Sequence, residues 1–374
     1  MNPLSAETGR DNRSLGFFAR HYLDGPLLAL IVMLLSVSLA TLYSATGNDG
    51  GALWSQLKRL SVGLAVLVVC ARIPPDGYRA IAPAIYAGTL LLLVLVLVFG
   101  DASKGAQRWL DLGIVRFQPS ELMKLAMPMA VAAYLHATGV APGVRRLPVV
   151  LLIIALPAAL VGAQPDLGTA LMITMSGLIA LYLGGLRWRW MLGFAATAMA
   201  AIPLLWFNMH DYQRSRVLTF LNPERDPLGA GYHITQSKIA IGSGGALGKG
   251  WGEGTQARLD FLPESHTDFI FAAFAEETGL IGAGLLLLLY FALTARCLII
   301  ALRGQETFQR LLGGSLGIIF FCYVFINIGM VCGLLPVVGV PLPLMSFGGT
   351  SIVSLMAGFG ILMSIQTHRK LVPS

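Results

Sequence analysis

Residues 261–271 read FLPESHTDFIF, and an apolar run continues from there to about residue 301. An apolar run of about 20 residues is long enough to cross a bilayer as a helix. The ionisable residues between Glu264 and Asp268 therefore stand at the boundary between a membrane span and water. This stretch predicts a fold built from membrane-spanning helices, with a polar cluster at the end of one of them.

The composition extends this prediction to the whole chain. Of its 374 residues, 56% are hydrophobic and only 12% are charged, whereas a soluble domain has about 25% charged residues. We therefore expect an all-α integral membrane protein. The formal net charge of +7 does not indicate nucleic-acid binding, because basic residues flank membrane helices in any case. The four cysteines form no CxxC pair and are typical of small buried hydrophobes.

The apolar runs predict about ten transmembrane helices. Their approximate positions are 26–45, 56–73, 79–100, 119–138, 147–163, 167–186, 190–208, 268–301, 309–333 and 346–367.

Lys and Arg residues set the predicted orientation, because cytoplasmic connections are enriched in them. They predict a cytoplasmic tail at 1–25, a single polytopic membrane domain at 26–367 and a cytoplasmic tail at 368–374. The long segment 209–267, between the seventh and eighth helices, is then a large extracytoplasmic loop. Its many aromatic residues favour a partly ordered cap over a disordered tether.

Asp268 is the first candidate for chemistry. A carboxylate at an apolar boundary is suited to act as a general base near neutral pH. The alternative is that Thr267 or Asp268 only caps the eighth helix, and position alone leaves both interpretations open. Glu276 and Glu277 follow on the same helix, where a straight helix places them about 12–14 Å deeper. We expect them to be structural or coupling groups paired with a buried cation.

A second polar group surrounds the start of the fourth helix. Glu121 and Lys124 stand three positions apart, which favours a local ion pair. The other interpretation is that Lys124 faces a polar cavity and neutralises a phosphate or a carboxylate such as Glu277. Further candidates for substrate binding in these segments are Arg108, Trp109, Gln118 and Ser120.

Three other segments carry candidates. Asp166 follows Pro165 and is either a helix cap or part of a cavity wall. The glycine-rich residues 242–254 do not form a nucleotide-binding loop, because the required pattern fails; their glycines suit a close approach of the backbone to a sugar or pyrophosphate. Residues 335–349 form an apolar, proline-broken hairpin that predicts a re-entrant plug. The candidates in the long loop and the hairpin are Arg214, Arg216, Gln236, Ser243, Lys249, Glu264, His266, Thr267 and Ser346.

Several of these blocks together resemble the SEDS family (shape, elongation, division and sporulation) of membrane glycosyltransferases. They are GAQRWL at 105–110, QPSELMK at 118–124, QPDLGT at 164–169, the long loop with FLPESHTDFIF at 261–271, and the hairpin at 335–349. The resemblance spans nearly the whole chain. The sequence near residue 260 is more similar to the elongation branch of the family than to its division branch.

This resemblance implies a SEDS fold and polymerisation of lipid II into glycan strands during cell elongation, with inversion at the donor sugar. It implies that Asp268 deprotonates the attacking sugar hydroxyl. The leaving pyrophosphate needs cations, for which Lys124, Arg108, Arg214, Arg216 and Lys249 are available. No cofactor follows with certainty, although a divalent Mg or Mn ion fits this chemistry.

The same resemblance implies a place and partners. The site would lie on the outer face of a bacterial plasma (inner) membrane. The partners would be a class B penicillin-binding protein, which is a transpeptidase, and other proteins of the elongation complex. Two alternatives remain: a flippase or transporter for lipid II, suited by intramembrane Glu276, Glu277 and Lys124, and a scaffold for other wall enzymes.

Overall fold

The computed structural model describes residues 22–47, 49–103, 106–111, 116–208, 214–215, 218–220, 222, 229–259, 261 and 265–369. These residues form twelve helices and three short strands. The helices are α1 Gly25–Ala45, α2 Gly50–Arg72, α3 Pro75–Phe99, α4 Pro119–Thr138, α5 Leu147–Ala163, α6 Leu167–Leu183, α7 Trp188–Asn208, α8 Ala230–Gly244, α9 Thr255–Arg258, α10 Ile270–Leu302, α11 Thr307–Val331 and α12 Thr350–Thr367. The strands β1 Asp101–Ser103, β2 Ala106–Asp111 and β3 Arg116–Phe117 form one antiparallel sheet in that order.

The predicted helical membrane fold is confirmed, and each of the ten predicted spans coincides with a helix. Six of these helices are long and apolar enough to cross a membrane, and α5 and α6 are shorter apolar helices. That all ten cross the bilayer stays a prediction. The small sheet between α3 and α4 is an addition that the helical prediction did not contain.

Helix starts follow the local sequence. Asp24 is the N-cap of α1, where its carboxylate accepts a hydrogen bond of 2.9 Å from the Leu27 amide. Asp166 is the N-cap of α6 and accepts from the Thr169 amide at 3.2 Å. Proline stands in the first turn of α1, α3, α4 and α5, where its missing N–H leaves no helical hydrogen bond unmade.

The helix α10 is broken at Gly279, whose φ of 66° and ψ of −166° are not helical. The turn formed by residues 245–254, which follows α8, fills the break. The amides of Lys249 and Gly250 donate to the carbonyls of Glu276 and Glu277 at 3.1 and 3.0 Å, and the Leu280 amide donates to Gly245 at 2.9 Å. Backbone groups that the break would leave unpaired are therefore satisfied by the 245–254 turn.

The contacts of Glu277 place both carboxylates within the bundle. Glu277 accepts a short hydrogen bond from Ser44, next to the last residue of α1. The indole of Trp251 in the adjoining turn reaches the carbonyl of Ala40 at 3.3 Å. The two carboxylates thus lie at the end of the bundle where α1 finishes. The break at Gly279 follows both residues and leaves residues 270–278 helical, so their expected spacing from Asp268 stays a prediction.

Residues 332–349, between α11 and α12, turn back among the helices. The hydroxyl of Tyr290 on α10 donates to the carbonyl of Pro343 at 2.8 Å. The hydroxyl of Ser38 on α1 donates to the carbonyl of Met345 at 3.0 Å. Met345 and Leu344 are buried. The 332–349 segment therefore lies between α1 and α10, in agreement with the predicted re-entrant plug.

Candidate active site

The turn that carries Asp268 is fixed by its backbone to the 332–349 segment and α11. The amide of Phe347 donates to the carbonyl of His266 at 2.9 Å. The hydroxyl of Ser346 donates to the carbonyl of Thr267 at 2.6 Å, and the side chain of Asn327 donates to the carbonyl of Asp268 at 2.9 Å. Three consecutive carbonyls are thus held, which leaves little freedom at the carboxylate-bearing residue.

The Asp268 carboxylate lies against Gly339. A Cβ atom added to Gly339 would stand 3.6 Å from Oδ2 of Asp268. Phe269 occupies the N-cap position of α10, and a phenylalanine side chain has no acceptor for a capping bond. Asp268 stands one position before that cap and is half-buried. The structure therefore does not make Asp268 the N-cap of α10, and its use as a general base stays a prediction.

Asp166 lies on the other side of the same segment. Its Oδ2 atom is 3.3 Å from Nε of Arg108. The Nη2 atom of Arg108 donates to the carbonyl of Pro165 at 3.1 Å. The neighbouring Gly168 packs against Val338, since an added Cβ would lie 2.7 Å from the valine side chain. Residues 338 and 339 thus separate the Asp166 cluster from Asp268. Asp166 is therefore a helix cap that also pairs with Arg108, and its place in a cavity wall stays a prediction.

The third cluster is the pair Glu121–Lys124, with Nζ and Oε1 2.6 Å apart. Ser354 donates to the other oxygen of Glu121 at 3.0 Å, and the Lys124 ammonium lies 5.1 Å from the ring centre of Tyr323. The local ion pair is therefore confirmed. The suggested partnership of Lys124 with Glu277 was wrong, since Glu277 bonds to Ser44.

This pair stands in a cleft between α4, α11, α12 and the 332–349 segment. The cleft is polar at the ion pair, Tyr323, Ser351 and Ser354, and its other lining residues are apolar. These apolar residues include Pro341, Pro343, Leu316 and Phe359. Such a cleft suits an amphiphilic ligand with a charged group at one end.

One further cation was not among the predicted site residues. Arg59 lies within α2, inside the predicted span 56–73. Its guanidinium is 4.1 Å from the ring centre of Phe347, whose ring also meets the His266 ring edge-on with centres 6.0 Å apart. The signal was present in the sequence, because a charged residue inside an apolar span is a functional candidate by default.

The remaining candidates are spread more widely. Lys249 binds Glu276 at 2.6 Å, and Arg214 donates to the carbonyls of Trp206 and Phe207. Both cations therefore contact protein groups in this structure. Gln118 is the N-cap residue of α4, and Ser120 is buried one position into it. Trp109 lies in β2 and Gln236 lies in α8. The hydroxyl of Ser243 donates to the carbonyl of Ala240 within α8.

Arg216 and Glu264 lie outside the described residues. Among the described residues, no three His, Cys, Asp or Glu side chains are grouped closely enough to hold a metal ion. The expectation of a divalent cation is therefore untested by the geometry.

The chain is similar over most of its length to proteins of one family. It matches the family model described as FTSW_RODA_SPOVE, cell cycle protein, over residues 25–371. The peptidoglycan glycosyltransferase MrdB of Escherichia coli strain K12 is 54% identical over 358 residues, which are 95% of this chain and 96% of the relative. A probable peptidoglycan glycosyltransferase FtsW of Geobacter sulfurreducens is 38% identical and covers 92% of this chain and 96% of its own.

Two solved structures share the fold. A chain of a peptidoglycan synthase complex that coordinates polymerization and crosslinking superposes with a TM-score of 0.83 at 33% identity, covering 93% of this chain and 99% of its own. The rod shape determining protein RodA of Thermus thermophilus gives a TM-score of 0.71 at 28% identity, covering 93% and 98%. The matched residues, the helical bundle and the motifs around Asp268 agree, and the chain therefore belongs to the FtsW/RodA/SpoVE family of cell cycle proteins, the SEDS family that its motifs resemble.

Proposed function

We propose that this multi-pass membrane protein is a peptidoglycan glycosyltransferase that polymerises lipid II, with Asp268 as its general base. The observation that carries the proposal is the convergence of three motifs on the 332–349 segment. Asp268 abuts Gly339, the Asp166 cluster packs at Val338, and the cleft at Lys124 is lined by Pro341 and Pro343. The relatives named as peptidoglycan glycosyltransferases support the reaction class.

The proposed reaction needs a base and a place for negative charge. A sugar hydroxyl is a weak nucleophile, so a positioned carboxylate accelerates its attack by taking the proton. The lipid pyrophosphate leaves with negative charge that nearby cations stabilise. Direct displacement at an α-linked donor gives a β-linked product, so inversion needs no covalent enzyme intermediate.

The cations of the site differ in whether a protein carboxylate already pairs with them. Lys124 and Arg108 are each paired with a carboxylate, Glu121 and Asp166. Arg59 is held over the ring of Phe347, and it has no carboxylate within salt-bridge distance in the described part of the chain. We therefore add Arg59 to the residues proposed to face the pyrophosphate. Its neighbour Gly349 is the N-cap residue of α12, whose N-terminal end favours anions.

The test is polymer formation from purified lipid II by wild type, Asp268→Ala and Asp268→Asn. We expect long glycan strands from wild type and a loss of at least about 10²-fold for both variants, the range of a positioned acid or base. Asp49→Asn is the matched control, because Asp49 is an N-cap at the start of α2 and asparagine caps equally well. Normal polymer from folded Asp268 variants would remove the base assignment.

The comparisons also favour a cellular location and a partner protein. The higher identity to MrdB than to FtsW, 54% against 38%, favours a role in elongation and rod shape. We propose the bacterial inner membrane, cytoplasmic termini and a site on the outer face. The structural similarity to a synthase that couples polymerization to crosslinking supports a class B penicillin-binding protein as partner.

The flippase and scaffold alternatives give different outcomes in the same assay. A flippase moves lipid II across vesicles without making polymer, and a scaffold binds its partner without either activity. Wild type that makes no polymer, with the partner present and binding demonstrated, would therefore overturn the proposed activity.

A further inference from the structure

Asn327 lies on α11 and is fully buried. Its Nδ2 atom donates to two carbonyl oxygens, that of Asp268 at 2.9 Å and that of Val340 at 2.7 Å. Its Oδ1 atom has no hydrogen-bond partner within the described part of the chain. Burying an amide whose oxygen accepts no hydrogen bond costs free energy. The two hydrogen bonds that its nitrogen donates offset this cost.

These two bonds join segments that are far apart in sequence. Asp268 is 59 positions from Asn327, and Val340 belongs to the 332–349 segment. Both partners are acceptors, so a single atom that bridges them must carry two hydrogens. Among uncharged side chains, only the amide nitrogen of Asn or Gln has two. A hydroxyl donates once, and a carboxylate of the same shape repels both carbonyls.

The same two bonds determine what the Asp268 carboxylate touches. One bond holds the backbone of Asp268, and the other holds residue 340, directly after Gly339. Gly339 has a φ of 76°, and its Cα faces Oδ2 of Asp268. This φ favours glycine, so the backbone comes close to the carboxylate there without a side chain between them. Asn327 therefore holds the backbone of Asp268 next to the backbone at Gly339, against which the carboxylate lies.

We propose that Asn327 is a positioning residue for the reaction: it holds the backbones of Asp268 and Val340 so that the Asp268 carboxylate keeps its place against Gly339. This inference rests on the proposed function and adds a residue that acts through Asp268 without touching substrate. Misplacing a reacting group by about 1 Å costs about 10²-fold in rate, which sets the size of the effect.

The test uses Asn327→Asp, which keeps the shape but has no atom that can donate two hydrogen bonds, and Asn327→Leu, which removes all polarity. We expect kcat for lipid II polymerisation to fall by about 10²-fold in both, with KM changed less than about threefold, because neither change removes a substrate contact. Folding is checked by thermal unfolding and by size-exclusion chromatography in detergent.

Tyr290→Phe is the matched control. It deletes one buried hydrogen bond to the same 332–349 segment, at Pro343, but not one that reaches Asp268. We expect kcat within about twofold of wild type. An equal loss in Tyr290→Phe and Asn327→Leu would mean that any weakening of the segment is sufficient, and would overturn a specific role for Asn327.

The rate per folded enzyme separates positioning from a loss of folded protein. A smaller folded fraction lowers the measured rate only in proportion to the protein that is lost. We expect the kcat of Asn327→Leu, divided by its folded fraction, to stay about 10²-fold below that of wild type. A rate that falls only in proportion to the folded fraction would overturn the positioning role.

The two proposals fail separately. If Asn327→Asp and Asn327→Leu polymerise at the wild-type rate while Asp268→Asn does not, the positioning role is wrong and the proposed base stands. If Asp268→Asn polymerises normally, the base assignment is removed, and the positioning role falls with it.

Discussion

Glu121 and Lys124 form the most enclosed ion pair of the candidate site, with side chains only 10% and 13% exposed. Removing one member leaves the other charge buried without its partner, which costs about 3–5 kcal/mol. We predict that Lys124→Met lowers the free energy of unfolding by about 3 kcal/mol, and that Glu121→Gln/Lys124→Met restores most of the loss. Thermal unfolding in detergent measures both. A double variant less stable than either single variant would contradict the prediction.

At this scale the sequence predicted the chemical groups better than their partners. The i, i+3 spacing was sufficient to predict the Glu121–Lys124 pair, and the Asp166 cap follows from its place after Pro165. Asn327 carried no such signal, because an isolated asparagine in an apolar helix does not reveal which carbonyls it will meet. Lys249 was read as a substrate ligand, but it pairs with Glu276, 27 positions away. Contacts over such distances depend on the assembled bundle.

The 245–254 turn is the element that shapes α10, and it depends on a close approach at Gly248. A Cβ atom there would stand 2.1 Å from the carbonyl oxygen of Glu277, and φ is 82°. We predict that Gly248→Ala costs more than about 2 kcal/mol, since the clash adds to the strain of a left-handed backbone. The measurement is the unfolding temperature, together with protease cleavage within the turn.

Gly252→Ala is the control for that prediction. Gly252 has a similar φ of 78° but no atom within 4 Å of an added Cβ among the described residues. It therefore carries the backbone strain without the clash, and we expect a smaller loss of about 1 kcal/mol. Equal losses in the two variants would mean that the contact with Glu277 contributes nothing.

Helix positions were predictable because apolar runs of sufficient length are visible in the sequence, and α4 and α5 begin and end as predicted. The break at Gly279 was not predictable, because the sequence around it indicates one apolar helix with several glycines. Only the arrival of the 245–254 turn shows which glycine leaves helical geometry. The strands β1–β3 were missed because they are short and carry no clear alternation.

Across the whole molecule, an ion pair between Asp24 and Arg296 fastens the start of α1 to α10. The guanidinium donates twice, at 3.0 and 2.5 Å, across 272 positions of sequence. We predict that Asp24→Asn lowers stability by about 3 kcal/mol while leaving the N-cap intact, because asparagine caps equally well. Asp24→Ala should lose about 1 kcal/mol more. Unfolding temperatures test this order, and equal stability of Asp24→Asn and wild type would contradict it.

Composition and the length of the apolar runs were sufficient to predict a helical membrane protein. The sequence motifs were sufficient to predict its family. The arrangement of the clusters around the 332–349 segment was predictable only in outline, since the hairpin was expected to be re-entrant but its neighbours were not known. Hydrophobicity determines which residues enter the membrane, and it does not determine how the helices are ordered around one another.

The carboxylate of Glu276 is fully enclosed and accepts hydrogen bonds from Lys249, Thr255 and Gln256. All of these donors precede it in the chain, by 20 to 27 positions. The ribosome therefore adds the complete set of donors before it adds the acid that needs them. The turn that meets the bend of α10 is thus already part of the chain when α10 is made, so the bend needs no segment that is synthesised later.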